Sequence, residues 1–225
     1  MELVAHRGAN WHFPGNTLPA FRRAIEDGAT VLEMDVRKTR DNVIVLCHDP
    51  HWKGRKIAKT RFEVFGNELP RLEEVLEAFP STPLIVDIKS NDIKAVYLIV
   101  DMIRDYGAIG RVCLSSFHWD VHRWIHDLKY EGEHGLSRIE LALLFVLPSA
   151  AIQLLGWRRR RAQPPLRYGV FNFAASWFVK KCHALGISVD YWVVNQLDIG
   201  RMLKDIGADR VMTDDPATLA SLGSP

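Results

Sequence analysis

Long apolar runs are missing from this chain of 225 residues. None reaches the roughly 18 residues of a membrane-spanning helix, which excludes a helical transmembrane protein. An excess of charge of one sign is missing too. Lys and Arg number 29 against 27 Asp and Glu, for a net charge of +2, too little to suggest nucleic acid as a partner. Cysteine is scarce: Cys47, Cys113 and Cys182 form neither a CxxC pair nor an even framework for disulfides. Cys47 and Cys113 fall in apolar, strand-like runs, which predicts buried free thiols in a reducing compartment. The opening MELVAHRG passes straight into a strand and leaves no room for a signal peptide, so a cytoplasmic location is expected. No glycine-rich phosphate loop follows an early strand, and no low-complexity tract or linker divides the chain.

What the sequence does contain is alternation. Strand-like runs occupy residues 3–7, 31–36, 84–89, 112–117, 141–146, 169–173, 188–194 and 210–214. Amphipathic segments such as TLPAFRRAIEDGA and DIKAVYLIVDMIRDYG lie between most of them. Apolar strands interleaved with helices predict a parallel sheet in an α/β protein. Eight units predict a closed (β/α)8 TIM barrel, one domain over residues 1–225. An open doubly wound sheet would usually carry the missing phosphate loop. A further run, residues 43–48, follows the second strand without a helix between them. A two-residue turn at Asp41-Asn42 predicts a β-hairpin arm that sets Asp35 opposite His48.

Chemistry in such a barrel gathers at the carboxyl ends of its strands. Those ends carry His6 and Arg7, then Glu33 and Asp35, then His48, then Asp87 and Lys89. Residues at i and i+2 of a strand share a face, so Glu33 and Asp35 stand side by side. Carboxylates so close repel, and an unpaired one in a buried place protonates. A divalent cation removes the conflict. Ligation by oxygen alone suits Mg²⁺ or Ca²⁺ rather than zinc. Arg7 and Lys89 add the positive charge a phosphate needs, and two histidines can serve as general acid and base. Each element alone has a plainer reading: a solvated edge, a core histidine, an ion pair. Their convergence on one rim points to metal-assisted phosphodiester chemistry.

The segment HRGANWHFPGNTLPAFRRAIEDGATVLEMDVRKTRDNVIVLCHD resembles the opening of the glycerophosphodiester phosphodiesterases, whose pattern runs HRG, PENT, AF, G, ExD, T, D and HD. VDIK resembles their EIK, SSF their SF, YWVVN their WTVN, and ALGISVDYWVVN with IGADRVMTDDP their closing strands. The resemblance extends over nearly the whole chain. It implies that His6 and His48 are the catalytic pair and that Glu33, Asp35 and Asp87 hold one divalent cation. It further implies that Arg7 and Lys89 bind phosphate and that Trp192 lines the pocket. The implied substrate is a small glycerophosphodiester. A glycerol hydroxyl would attack phosphorus to give a cyclic phosphate, which water then opens. A lysophospholipid substrate, or a weak phosphate-binding barrel without strong catalysis, is the alternative.

Two departures stand out: Gly15 replaces the glutamate of PENT, and Asp87 shortens the acid of EIK, as in the related sphingomyelinase D toxins. The Lys and Arg residues after His48 read as a solvated loop. GWRRRRAQPP reads as a solvated face beyond a helix that begins at Pro148-Ser149, with Ile152, Leu154, Leu155 and Trp157 in the core. Trp11 and Phe13 are the candidates for touching a substrate tail or, transiently, a membrane surface. Nothing in the sequence sets an oligomeric state.

Overall fold

The computed structural model describes residues 1–157 and 160–223. Among these, eight parallel strands follow one another around a ring. They are β1 (Glu2–His6), β2 (Val31–Lys38), β3 (Leu84–Ile88), β4 (Val112–Ser115), β5 (His134–Gly135), β6 (Arg160–Ala162), β7 (Ser188–Tyr191) and β8 (Arg210–Thr213). β1 closes the ring, pairing with β8 through Glu2 and Arg210 and with β2 through Val4 and Val31. Outside lie α1 (Leu18–Glu26), α2 (Leu72–Ala78), α3 (Ile93–Asp105), α4 (Trp119–Asp127), α5 (Arg138–Val146), α6 (Ser149–Gln153), α7 (Ser176–Ala184), α8 (Leu197–Asp205) and α9 (Pro216–Leu219). This is the expected (β/α)8 barrel. No helix among the described residues is long and apolar enough to cross a membrane, and all three cysteines are free and buried.

Strand alternation decides what enters the barrel. Leu32, Met34 and Val36 face outward and join the apolar layer under the helices, with Phe21 and Val100. Val31 faces inward and packs with Val4, Ile85, Cys113 and Met212. Glu33 and Asp35 follow Val31 at steps of two, so they occupy the interior above that apolar layer. Beneath it the interior is ionic. Arg161 donates to both oxygens of Asp190, at 2.8 and 2.6 Å, and to Glu133 at 3.1 Å. Removing one partner of such a buried pair strands the other. Arg161→Ala is therefore expected to cost about 3–5 kcal/mol of stability, measured by urea unfolding.

Two strand expectations fail. Residues 141–146 belong to α5, because a short apolar run has no period that separates strand from buried helix. Its start is fixed by a capping box: the Glu140 N–H donates to the Ser137 hydroxyl and the Ser137 N–H to the Glu140 carboxylate. Residues 169–173 contribute instead to a small hairpin pairing Arg167–Tyr168 with Phe171–Asn172, outside the ring. The true β5 has two residues, and β6 opens on Arg160 and Arg161, which the sequence presents as surface. Both are buried against carboxylates, Arg160 lying 2.6 Å from Glu140. The solvated reading of GWRRRRAQPP thus fails for these two; Arg158 and Arg159 lie outside the described residues. Ile152 is buried as expected, but Leu154 and Leu155 are exposed.

The arm is present, with a register one residue from expectation. Its strand Ile44–Leu46 pairs antiparallel to β2, Val36 beside Leu46 and Arg37 beside Val45. Thr39 N–H donates to Val43 O at 2.9 Å, and Asn42 takes φ 69°. The turn accordingly holds three residues, the last in the left-handed conformation that Asn tolerates. Cys47, not His48, comes opposite Asp35 and donates its N–H to the Asp35 carbonyl at 2.9 Å.

Candidate active site

β1, β2 and β3 are neighbours, with His6 beside Glu33 and Asp35 beside Asp87. This register gathers Glu33, Asp35 and Asp87 so that one carboxylate oxygen of each lies within 4.8 Å of the others. Burial, reinforced by repulsion from Asp35 and Asp87, pushes the Glu33 carboxyl well above the ordinary range. Burial also acts to raise Asp35, but the charges of Lys89 and Arg7 and a hydrogen bond from Asn16 outweigh it and hold Asp35 low. Lys89 bridges the pair, its Nζ 2.6 Å from Asp87 Oδ2 and 3.1 Å from Asp35 Oδ1. Burial opposes the charge on Lys89, while Asp87 and Asp35 sustain it. Asp87 Oδ1 is buried with no hydrogen-bond partner among the described residues, whereas Asp35 Oδ1 meets the Lys89 ammonium. An unpartnered carboxylate oxygen, beside a carboxyl that burial and its acidic neighbours hold against ionisation, fits a hard divalent cation.

The loop after β1 shapes the anion side. Arg7 sits at φ 60° and Gly8 at φ 84°. A Cβ on Gly8 would come within 2.7 Å of the Ala20 backbone, so only glycine lets the chain turn here. The turn points the Arg7 N–H at Glu33 Oε2, 3.0 Å away. It also brings Arg7 Nε to 2.8 Å from Asp35 Oδ2, an ion pair without hydrogen-bond alignment. Gly15 packs beneath the same side chain, where a Cβ would lie only 3.1 Å from Arg7 Cβ.

His6 is pinned from behind. Its Nδ1 lies 2.7 Å from Asp214 Oδ1, and Asp214 also accepts from Asn10 at 2.6 Å and Asn195 at 2.9 Å. Burial acts to raise the Asp214 carboxyl, yet hydrogen bonds from His6, Asn195 and Asn10 dominate and bring it down to about 2. An ionised Asp214 can only accept, which assigns the proton to Nδ1 and leaves Nε2 for chemistry. Asp214→Asn offers a donor in its place and inverts that tautomer. We expect kcat to fall about 10²- to 10⁴-fold with KM unchanged, read by steady-state kinetics.

His48 reaches the same cavity from the arm. Its Nδ1 lies 2.8 Å from Asp49 Oδ1. Arg37 donates to the His48 carbonyl at 2.9 and 2.7 Å and to the Lys89 carbonyl at 3.2 Å, tying the arm to β3. His6, His48, Arg7, Lys89, the three acids and Trp192 all line one cavity of about 420 Å³. Trp192 donates its indole N–H to Gln163 O at 2.7 Å and meets Phe117 edge to face at 5.7 Å.

The two histidines, the three acids, Arg7, Lys89 and Trp192 therefore all reach this cavity. Trp11 and Phe13 do not line it; the apolar wall comes from Phe117, Leu136, Leu141, Tyr168, Phe171 and Phe173. Sequence reasoning also missed Asp214, Asn10 and Asn195, and it missed Asn16, whose amide donates to Asp35 Oδ2 at 2.9 Å. Two acids closing the last strand, and an Asn placed before a helix cap, were the available signals.

Residues 6–61 match the model of the glycerophosphoryl diester phosphodiesterase family. A probable glycerophosphodiester phosphodiesterase of Mycobacterium tuberculosis is 30% identical, covering 94% of this chain and 86% of its own. A glycerophosphodiester phosphodiesterase of Caldanaerobacter subterraneus is 29% identical, covering 98% and 96%. In fold the chain is similar to an Oleispira antarctica phosphodiesterase solved with the product sn-glycerol-3-phosphate. That likeness has a TM-score of 0.81 and 20% identity, and covers 99% and 96% of the two chains.

Proposed function

We propose, since this chain belongs to the glycerophosphodiester phosphodiesterase family and is a phosphoric diester hydrolase, that it cleaves glycerophosphodiesters to an alcohol and glycerol phosphate by metal-dependent histidine catalysis. One observation carries the reading: a triad of acids within 4.8 Å of one another shares a cavity with two histidines, one of them pinned by an ionised aspartate. Binding alone needs cations, not a histidine with a fixed tautomer.

Glu33, Asp35 and Asp87 would hold the cation, which when bound supplies positive charge to the phosphoryl oxygens. Arg7 and Lys89 receive the phosphodiester anion, Arg7 through a planar fork and Lys89 as a point charge. One histidine takes the proton of the attacking glycerol hydroxyl, and the other gives a proton to the departing alcohol oxygen. The two then exchange roles when water opens the cyclic phosphate. Asp214 stabilises the His6 imidazolium whenever that ring holds the proton. Alcohol release from glycerophosphocholine should stop in EDTA and return with excess Mg²⁺ or Ca²⁺. Release indifferent to EDTA would refute the metal role.

A second substrate reading, a lysophospholipid, is favoured by the apolar wall of Leu136, Leu141, Phe171 and Phe173, which a small polar diester leaves unused. Comparing kcat/KM for glycerophosphocholine and lysophosphatidylcholine decides between them.

A further inference from the structure

Beside the cavity mouth, apolar side chains stand open to solvent. α5 exposes Ile139 by 55% and Val146 by 61%. They lie seven residues apart on one helical stripe, with exposed Ala142 between them, while Leu141 and Leu144 face the core. The neighbouring hairpin carries Val170, 94% exposed, and Tyr168, also exposed. An aromatic cluster joins the two elements into one shelf: Phe145 of α5 lies 5.0 Å from Phe171, 5.2 Å from Phe173 and 4.8 Å from Trp177, ring to ring. Ala142 and Tyr168 belong both to the shelf and to the cavity lining, so the outer surface runs without a break into the apolar wall.

Charge on this part of the molecule is one-sided. Between Glu133 and Asp190 the only acid is Glu140, which is buried and paired with Arg160. Arg138, Arg167 and Lys180 are exposed on the same stretch.

We propose that this shelf, formed by the outer face of α5 and the 167–172 hairpin, docks on an anionic lipid surface. Its apolar side chains enter the headgroup boundary and its cations meet lipid phosphates, while Tyr168 and Trp177 have the amphipathic rings that suit that depth. A polar protein partner would leave Ile139, Val146 and Val170 facing nothing apolar. Hydrocarbon satisfies them, and it brings the cavity mouth against the bilayer, where a lipid diester could pass from membrane to site. The surface goes beyond the hydrolytic reading and does not depend on turnover.

The test is flotation of the whole chain with vesicles of phosphatidylcholine alone and of phosphatidylcholine mixed with phosphatidylglycerol. The comparison is with the triple variant Ile139→Asp, Val146→Asp, Val170→Asp, whose side chains are exposed and do not line the cavity. Wild type should float with the mixed vesicles at low salt, and the variant should partition at least about tenfold less. Hydrolysis of a soluble diester should be equal in both proteins, which keeps a failure of the catalytic reading distinct. Equal flotation of variant and wild type would overturn the proposal, as would wild type that floats with neither vesicle. A wild-type dimer that the variant dissolves, seen by light scattering, would also overturn it by showing a second copy on the shelf.

Discussion

Replacing His6 or His48 by alanine is expected to lower kcat by about 10²- to 10⁴-fold, the usual worth of a positioned general acid or base. The fold should survive either change. His48 is half exposed on the arm, and the His6 side chain faces the cavity, its one hydrogen bond among the described residues being to Asp214. The His6 variant leaves Asp214 ionised, with Asn10 and Asn195 still donating to it. KM should change little in either variant, because Arg7 and Lys89 remain to bind the phosphodiester. Steady-state kinetics with metal content verified makes the test. A variant that keeps near-wild-type kcat would remove that histidine from the chemistry.

Asp87 is expected to govern metal affinity. It stands beside Asp35 in the β2–β3 register, and its Oδ1 is buried without a hydrogen bond. Asp87→Ala removes one ligand and also releases Lys89, leaving its ammonium 3.1 Å from Asp35 Oδ1 as a competitor for the remaining site. Affinity for Mg²⁺ or Ca²⁺ should fall at least about 100-fold, more than the loss of an outer supporting residue costs. Asp87→Glu restores a longer reach and should keep activity while moving preference toward Mg²⁺, which demands shorter and more regular bonds. Calorimetric titration of both ions into the three proteins reads this directly. Unchanged affinity in Asp87→Ala would exclude it from the site.

The parts of this molecule legible in its sequence share one physical property, a period-two pattern long enough to read. β2 has eight residues, and Glu33 and Asp35 interrupt its apolar run at the positions that turn inward. β3 repeats the pattern with Asp87, so the acid cluster could be derived before any coordinates. β5 and β6 resisted because they have two and three residues, too few for a period, and because β6 hides two arginines in ion pairs that no local pattern announces. Residues 141–146 read as a strand because apolar residues surround the helix they belong to, and the Ser137–Glu140 capping box is the local mark of its start. The register read from the sequence sets His48 opposite Asp35, one residue off, since Arg40 joins Asp41 and Asn42 in the turn; His48 lines the cavity all the same. Nothing local ties Asp214 to its partner, His6, which lies 208 residues away in sequence.

The central claim is that hydrolysis depends on one cation held by Glu33, Asp35 and Asp87. Phosphorus NMR on metal-stripped protein, with glycerophosphocholine as substrate and Mg²⁺ or Ca²⁺ added stepwise, tests it most directly. The account predicts no turnover in the stripped protein. The glycerol phosphate signal should then grow in proportion to bound metal and reach its limit at one ion per chain. Turnover in the stripped protein as fast as in the loaded one would contradict the account.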